Sequence, residues 1–316
     1  MNLVKFIKAK GETINSLSKK NHIPYSTLHD GVHNPKQMRY ENLLKISNYF
    51  NISMDYLSTL INGEKEVTLL SILTDQMESK LIGNIYHFTQ INFAYNTNRI
   101  EGSKLTEEQT RMIFETNTIG ETNNGINTDD LVETANTFYL FDEMLKTAGN
   151  YLTEDMIKRV HQILKNGTKD SRKDWFVVGG YKKLPNEVGG KKTTEPKHTD
   201  RDMKKLLNSY HQINKPTIED IIDFHYQFES IHPFQDGNGR IGRLIMFKEC
   251  LKNNITPFII EESRKTFYYR GLSNYKEEKG YLKDTCLLMQ DKYELIIKKY
   301  VHPIMDKNLK WNNGFG

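Results

Sequence analysis

"HPFQDGNGRIGR", residues 232–243, can be read in two ways. From Gly237 to Gly242, the letters G-N-G-R-I-G fit the G-x-G-x-x-G spacing of a dinucleotide-binding loop, which must follow a buried β-strand. From His232 onward, the same stretch groups a base, a carboxylate, a glycine-rich turn and two arginines. The residues ahead of it decide. In "TIEDIIDFHYQFESI" (217–231), Ile218, Ile221, Ile222, His225, Phe228 and Ile231 recur near i, i+3, i+4 spacing. Thr217 and Asp220 have the spacing of a capping box. This stretch is a helix that ends at Ile231, and Pro233 cannot donate to a sheet ladder. The dinucleotide reading fails on context.

Beyond the glycines, Ile241, Leu244, Ile245, Cys250 and Leu251 predict a second buried helix beginning near Gly239. The motif is therefore helix–loop–helix, with "DGNG" leading into the second helix. Backbone amides at such a start are unpaired and carry partial positive charge. Arg240 and Arg243 fall in that first turn, where the dipole disfavours cations unless a multiply charged anion binds there. Gly237 and Gly239 let the backbone curl around that anion and approach it closely. Asp236, beside bound phosphates, suits Mg²⁺. His232 is the residue type most often found taking a proton from an attacking hydroxyl. Together these are the parts needed to move a phosphorus-centred group from a nucleotide to an alcohol or phenol.

The stretch fits the H-x-F-x-[D/E]-G-N-G-R-x-x-R signature of Fic-domain proteins at every fixed position, and the chain resembles that family over roughly residues 70–300. The similarity includes "NTNRIEGSKLT", "LTEDMIKRVHQILKNGT", "GGYKKLPNEVGG", "FHYQFESIHPF" and "FYYRGL". The resemblance implies a protein AMP transferase that uses ATP as co-substrate and Mg²⁺ as cofactor, with a target protein offering a Ser, Thr or Tyr hydroxyl. It implies His232 as general base, Asp236 as metal ligand, and Asn238 with the amides of Gly237 and Gly239 on the α- and β-phosphates. Arg240 would assist the β-phosphate and Arg243 would grip the γ-phosphate. Tyr268 and Tyr269 would stand at the adenine end, with Asn274 as a substitute for a polar residue there. Phe234 anchors the loop on the core.

"GGYKKLPNEVGG" (179–190) is not helical. Pro185-Asn186 is a turn signal between short extended runs. By resemblance it is the flap, a hairpin whose edge aligns an extended segment of the target, with Tyr181, Leu184 and Val188 shaping the hold. "TNRIEG" (97–102) fits the [S/T]-x-x-x-E-[G/N] inhibitory motif of some family members. Thr97 and Glu101 then share a helix face, with Gly102 as stop. Glu101 would pair with Arg243, take the γ-phosphate site and leave ATP misaimed. In some relatives this Glu also helps remove AMP from the target.

The first sixty residues are different. They carry eight Lys and Arg against four Asp and Glu, so the whole net charge of +4 sits there. A basic segment beside a balanced one suggests that only the first meets a polyanion. It reads as short helices: "LVKFIKA", "TINSLSKKN", "PYSTLHDG", "YENLLKISNYF" and "SMDYLSTL". Thr13 and Ser26 are expected N-caps, and Gly11 and Gly31 expected stops. Residues 14–57 resemble the phage-repressor-like helix-turn-helix family, with Leu17, Ile23 and Leu28 holding two helices at a steep angle. His22 replaces the usual turn glycine, a position where His tolerates a left-handed backbone. The resemblance implies that Tyr25, Ser26, Thr27 and Asp30 begin a recognition helix on duplex DNA, with Lys19, Lys20 and Lys36 near phosphates.

The chain has 316 residues, consistent with two domains. No apolar run approaches the roughly 20 residues needed to span a bilayer, and the first residues lack a secretory h-region. Cys250 and Cys286 lie in apolar stretches and are read as buried thiols of a cytoplasmic protein. The expected organisation is a helix-turn-helix bundle over 1–62, a linker over 63–69 and a Fic domain over 70–316. Within the latter, the inhibitory helix lies near 92–102 and the core spans 150–300. The fold class is mainly α, a Fic-type helical core with a short β-hairpin flap plus the small N-terminal bundle. The expected function is autoinhibited protein AMP transfer, possible in concert with DNA binding. Alternatives are AMP removal, transfer of another nucleotide or phosphate moiety, or a DNA-binding regulator whose Fic domain senses nucleotide. Oligomeric state is open.

Overall fold

A computed structural model of the chain describes residues 3–34, 38–50, 52, 57, 60–61, 68–80, 82–120 and 125–305, with side chains to Val301. Pro35, Lys36, most of "SMDYLSTL", residue 62 and residues 63–67 of the expected linker lie outside these described residues. The described residues form two compact units, divided between Asp75 and Gln76.

In the first unit, α1 (Leu3–Ala9), α2 (Ile14–Asn21), α3 (Tyr25–His33) and α4 (Tyr40–Phe50) enclose a small core. Thr13 caps α2 with a capping box to Ser16, as the sequence predicts. His22 stops α2 in the left-handed region (φ 52, ψ 41), and Leu17, Ile23 and Leu28 are buried on either side of that turn. Two expectations fail. The N-cap of α3 is Pro24, so Ser26 lies inside the helix. Gly31 does not stop α3: it is buried mid-helix, where a Cβ would sit 2.5 Å from Met38 Cε, so glycine serves close packing. Helix α5 (Leu69–Ser79) follows.

The second unit is built around two buried helices. Helix α6 (Ile85–Ile100), capped by Asn84, packs on α7 (Glu107–Thr116), α8 (Thr128–Thr147), α12 (Asn238–Lys252) and α14 (Gly280–Met305). Helix α12 is buried on nearly all sides from Arg240 to Leu251, which explains its lack of a polar stripe. Phe93, Phe141 and Phe247 from α6, α8 and α12 meet with ring centroids 5.3–6.0 Å apart. Helices α9 (Glu154–Lys165), α10 (Pro196–His211), α11 (Ile218–Ile231) and α13 (Lys265–Ser273) complete the unit. The capping box from Thr217 to Asp220 starts α11, and the helix ends at Ile231, both as predicted.

The loop between α9 and α10 carries a two-stranded antiparallel sheet, β1 (Glu187–Val188) and β2 (Lys191–Lys192). Its turn is Gly189-Gly190, both at positive φ, and not Pro185-Asn186 as the sequence suggests. Asn186 is drawn elsewhere: its Nδ2 donates to Phe234 O at 2.9 Å. Cys250 and Cys286 are free and buried. No described helix is long and apolar enough to cross a membrane.

Candidate active site

Helix α11 ends one residue before His232, and α12 begins one residue after Gly237. His232 itself is left-handed (φ 51, ψ 61), and its amide donates to Phe228 O at 2.8 Å to close the helix. The loop between is folded by Asn238. Its Oδ1 accepts from Phe234 N and its Nδ2 donates to Phe234 O, both at 2.8 Å. Both polar atoms of the Asn238 side chain thus fold the loop, a role the sequence did not announce. Phe234 is fully buried and stacks on His161 with centroids 4.1 Å apart and planes 3° from parallel. His161 Nδ1 accepts from Gly179 N at 2.8 Å, which requires the unprotonated nitrogen there. Burial and the nearby Lys165 push its pKa down to about 3.

Gly237 (φ 85) provides the left-handed turn into α12. The first helical bond runs from Ile241 N to Gly237 O, so the amides of Asn238, Gly239 and Arg240 precede any intrahelical acceptor. An anion already approaches this end, and it belongs to the chain. Glu101 Oε1 accepts from Arg243 Nη2 at 2.8 Å. It lies so close to Gly239 that any Cβ there would collide with it. Arg243 Nε also donates to Thr97 Oγ1 at 2.9 Å, and Nη2 to Thr97 O at 3.0 Å. Thr97 lies within α6 and Glu101 is the residue just past its end, and both meet the same guanidinium, as residues sharing a helix face would.

A cleft of about 880 Å³ opens over these groups, lined by His232, Glu101, Gly239, Arg243, Tyr269 and Val188. Glu229 faces it too, its Oε2 3.6 Å from His232 Nδ1, beyond direct hydrogen bonding. Burial disfavours charge on Glu229, but His232, His225 and Arg243 outweigh it and hold the carboxyl below its ordinary range. Buried polar atoms without a protein partner gather here: Glu229 Oε1, His232 Nδ1 and Arg243 Nη1. Such atoms are costly unless something else binds them.

Residues 151–250 match the family model described as "Fic/DOC family". Over those residues this chain carries a Fic domain. It is 26% identical over 220 residues to "Protein adenylyltransferase Fic" of Nematostella vectensis, covering 66% of this chain and 48% of that protein. It is 26% identical over 193 residues to "Protein adenylyltransferase fic-1" of Caenorhabditis elegans, covering 58% of this chain and 36% of the other. The chain thus spans no more than about half the length of these relatives. Its fold is similar to that of a Fic-domain signalling protein from Bacteroides thetaiotaomicron (TM-score 0.59, 22% identity, 72% of this chain and 95% of that one). It is also similar to a fragment of Fic-1 from C. elegans (TM-score 0.57, 17% identity, 94% and 91%).

Several Fic-domain residues are placed differently from expectation. Arg240 does not face the cleft: it is 4% exposed and pairs with Glu133 of α8 and, at 3.2 Å, with Asp236. Asp236 Oδ2 also accepts from Lys165 Nζ at 2.6 Å, and Lys165 in turn pairs with Glu133. Burial works against the Asp236 charge, but Arg240 and Lys165 hold its carboxyl well below the usual range. Tyr268 is wholly buried and shares a 2.7 Å hydrogen bond with His225 Nε2, so it acts as wall more than contact; Tyr269 is 37% exposed. Of the expected flap residues, Val188 lines the cleft, Leu184 is 45% exposed, and Tyr181 is half-buried against Phe234. Asn274 lines the cleft while its Nδ2 donates to Arg270 O. Glu133, His161, Lys165, Lys182 and Glu229 were not foreseen as site residues.

In the first unit, Tyr25, Ser26 and Thr27 are exposed on the first turn of α3. Lys20 is already engaged, its ammonium 2.6 Å from Glu12 and 3.0 Å from Tyr49 Oη.

Proposed function

We propose that the Fic domain transfers AMP from ATP to a hydroxyl of a protein target or of its own chain, and that Glu101 restrains this reaction. One observation carries the reading: His232 and the unpaired start of α12 open onto the same cleft, and a carboxylate of the chain lies where a phosphate would. The target hydroxyl attacks the α-phosphorus and His232 accepts its proton. The bond from that phosphorus to the β-phosphate oxygen breaks, and pyrophosphate departs. The amides of Asn238, Gly239 and Arg240, with Arg243, stabilise charge on the transferring and leaving groups. The Glu229 carboxylate, 3.6 Å from His232 Nδ1, would attract the imidazolium that forms when His232 takes the proton.

Magnesium fits this site through Asp236. Its Oδ2 is fixed by Lys165 and Arg240, its side chain is 45% exposed, and its environment keeps it ionised. A single carboxylate beside phosphates is the usual protein share of a Mg²⁺ site, and the ion would neutralise charge on the triphosphate.

Incubation of the Glu101→Gly protein with ATP, CTP, GTP or UTP labelled at the α-phosphate tests the reading. Label transferred from ATP, and lost with His232→Ala in a protein of unchanged melting temperature, supports it. Retained transfer refutes the base assignment, and transfer from another nucleotide alone refutes the donor.

The first unit supports a second activity, binding of duplex DNA. The observation favouring it is the exposed first turn of α3 behind a left-handed turn at His22, within the segment that carries the chain's net positive charge. In this reading the AMP transferase is coupled to a DNA-bound regulator.

A further inference from the structure

Lys182 lies at the base of the hairpin loop and is 4% exposed. Its Nζ donates to Asn186 Oδ1 at 2.7 Å and to Thr193 Oγ1 at 2.7 Å, one residue on each side of the β1–β2 hairpin. The same ammonium donates to Ile231 O at 3.0 Å, and the Lys182 amide donates to Pro233 O at 2.9 Å. Ile231 and Pro233 are the neighbours of His232 in the chain. One residue therefore grips the backbone immediately before and after His232 while holding both feet of the hairpin. All three acceptors of the ammonium are neutral, and no carboxylate among the described residues lies within ion-pair distance of it. Burial pushes its pKa down to about 8. A buried ammonium without a counter-charge is costly. An apolar side chain filling the same space would carry no such cost, so bulk alone does not account for a lysine here.

We propose that Lys182 is a positioning residue that fixes the hairpin relative to His232, and so sets how a hydroxyl presented along the hairpin meets the base. This rests on the AMP-transfer reading for its functional consequence, though not for the mechanical link. Lysine suits the task because three donors on one tetrahedral nitrogen reach acceptors on separate segments, whereas a neutral side chain of the same length offers fewer. The carbonyl of Ile231 ends α11, where the helix dipole adds attraction for a cation.

The test uses the full chain with Glu101→Gly, comparing Lys182, Lys182→Met and Lys182→Arg. Amide hydrogen exchange over residues 187–192 is read without nucleotide, ATP affinity by calorimetry, and label transfer to the chain's own hydroxyls from α-labelled ATP. Loss of a charged donor with three acceptors should raise hairpin exchange by about tenfold or more in Lys182→Met. ATP affinity should stay within about twofold, since Lys182 touches no group of the anion site. Transfer should fall by at least about tenfold, and Lys182→Arg should recover part of both losses. Unchanged hairpin exchange in Lys182→Met overturns the proposal, as does equal loss of ATP binding and transfer. Should Lys182→Met fail to fold, Thr193→Val removes one of the three acceptors, and it must raise hairpin exchange for the proposal to stand. Absence of transfer in the protein that keeps Lys182 would count against the AMP-transfer reading, while the exchange data still decide the link.

Discussion

Arg243 and Glu101 meet through a 2.8 Å hydrogen bond from Nη2 to Oε1, yet the guanidinium keeps two further bonds to Thr97 that do not depend on that carboxylate. Removal of Glu101 therefore frees the outward face of Arg243 without releasing it from α6. Glu101→Gly should raise AMP transfer at least about tenfold, since a charge-assisted pair of this kind is worth more than the ~1.4 kcal/mol that a factor of ten requires. Initial rates of label incorporation measure it. Equal rates would remove Glu101 as a brake.

A second buried set of charges serves stability. Glu133 pairs with both Lys165 and Arg240, whose side chains are 3% and 5% exposed. Glu133→Ala leaves two buried cations sharing Asp236, and stripping a partner from such a network costs about 3–5 kcal/mol. Urea unfolding should show a loss of that size at unchanged m-value. A loss below about 1 kcal/mol would mean that solvent relaxes around the cations.

His161 makes the fold acid-sensitive. Its pKa falls from 6.5 to about 3 on folding, so below pH 6.5 the unfolded chain takes up a proton that the native state refuses. Stability is complete above pH 6.5 and declines as pH falls toward 3, by up to about 1.4 kcal/mol per unit. His161→Phe keeps a ring against Phe234 but cannot titrate. Between pH 7 and 4.5 the native chain should lose roughly 2–3 kcal/mol more than this variant, from melting curves or denaturant titrations. Parallel losses would show that His161 is protonated in the native state.

For the first unit, association with duplex DNA should weaken steeply with salt, as binding through phosphates releases counterions. Thr27→Asp, on the exposed first turn of α3, should weaken it further. Fluorescence anisotropy across a salt series measures both, and no affinity at low salt would end the DNA reading.

The local parts of this structure were legible and the distant contacts were not. Thr217, Asp220 and Pro233 announce where α11 starts and stops because capping and proline chemistry act within a few residues. The left-handed His22 and the burial of Leu17, Ile23 and Leu28 follow from similar short-range rules. Ser26 and Gly31 misled for the same reason: Pro24 already supplies the extended cap, and Met38 claims the space beside Gly31. Nothing near Glu133 in sequence marks it as a partner of Arg240, and nothing near Lys182 marks it as a clamp around His232. Those pairings arise only when α8, α11, α12 and the hairpin loop are packed together. A buried lysine or glutamate looks the same as a solvated one until its neighbours are known. The two bonds from the Asn238 side chain to Phe234 were hidden because a motif names residues and does not say which of their atoms fold the loop.

The central claim is that the start of α12, below His232, holds the triphosphate of a nucleotide once Glu101 is gone. Crystals of the Glu101→Gly protein soaked with ATP and magnesium test it most directly. The account predicts phosphate density against the amides of Asn238, Gly239 and Arg240 and against Arg243, with the α-phosphate facing His232. An empty cleft, or a triphosphate bound away from α12, would contradict it.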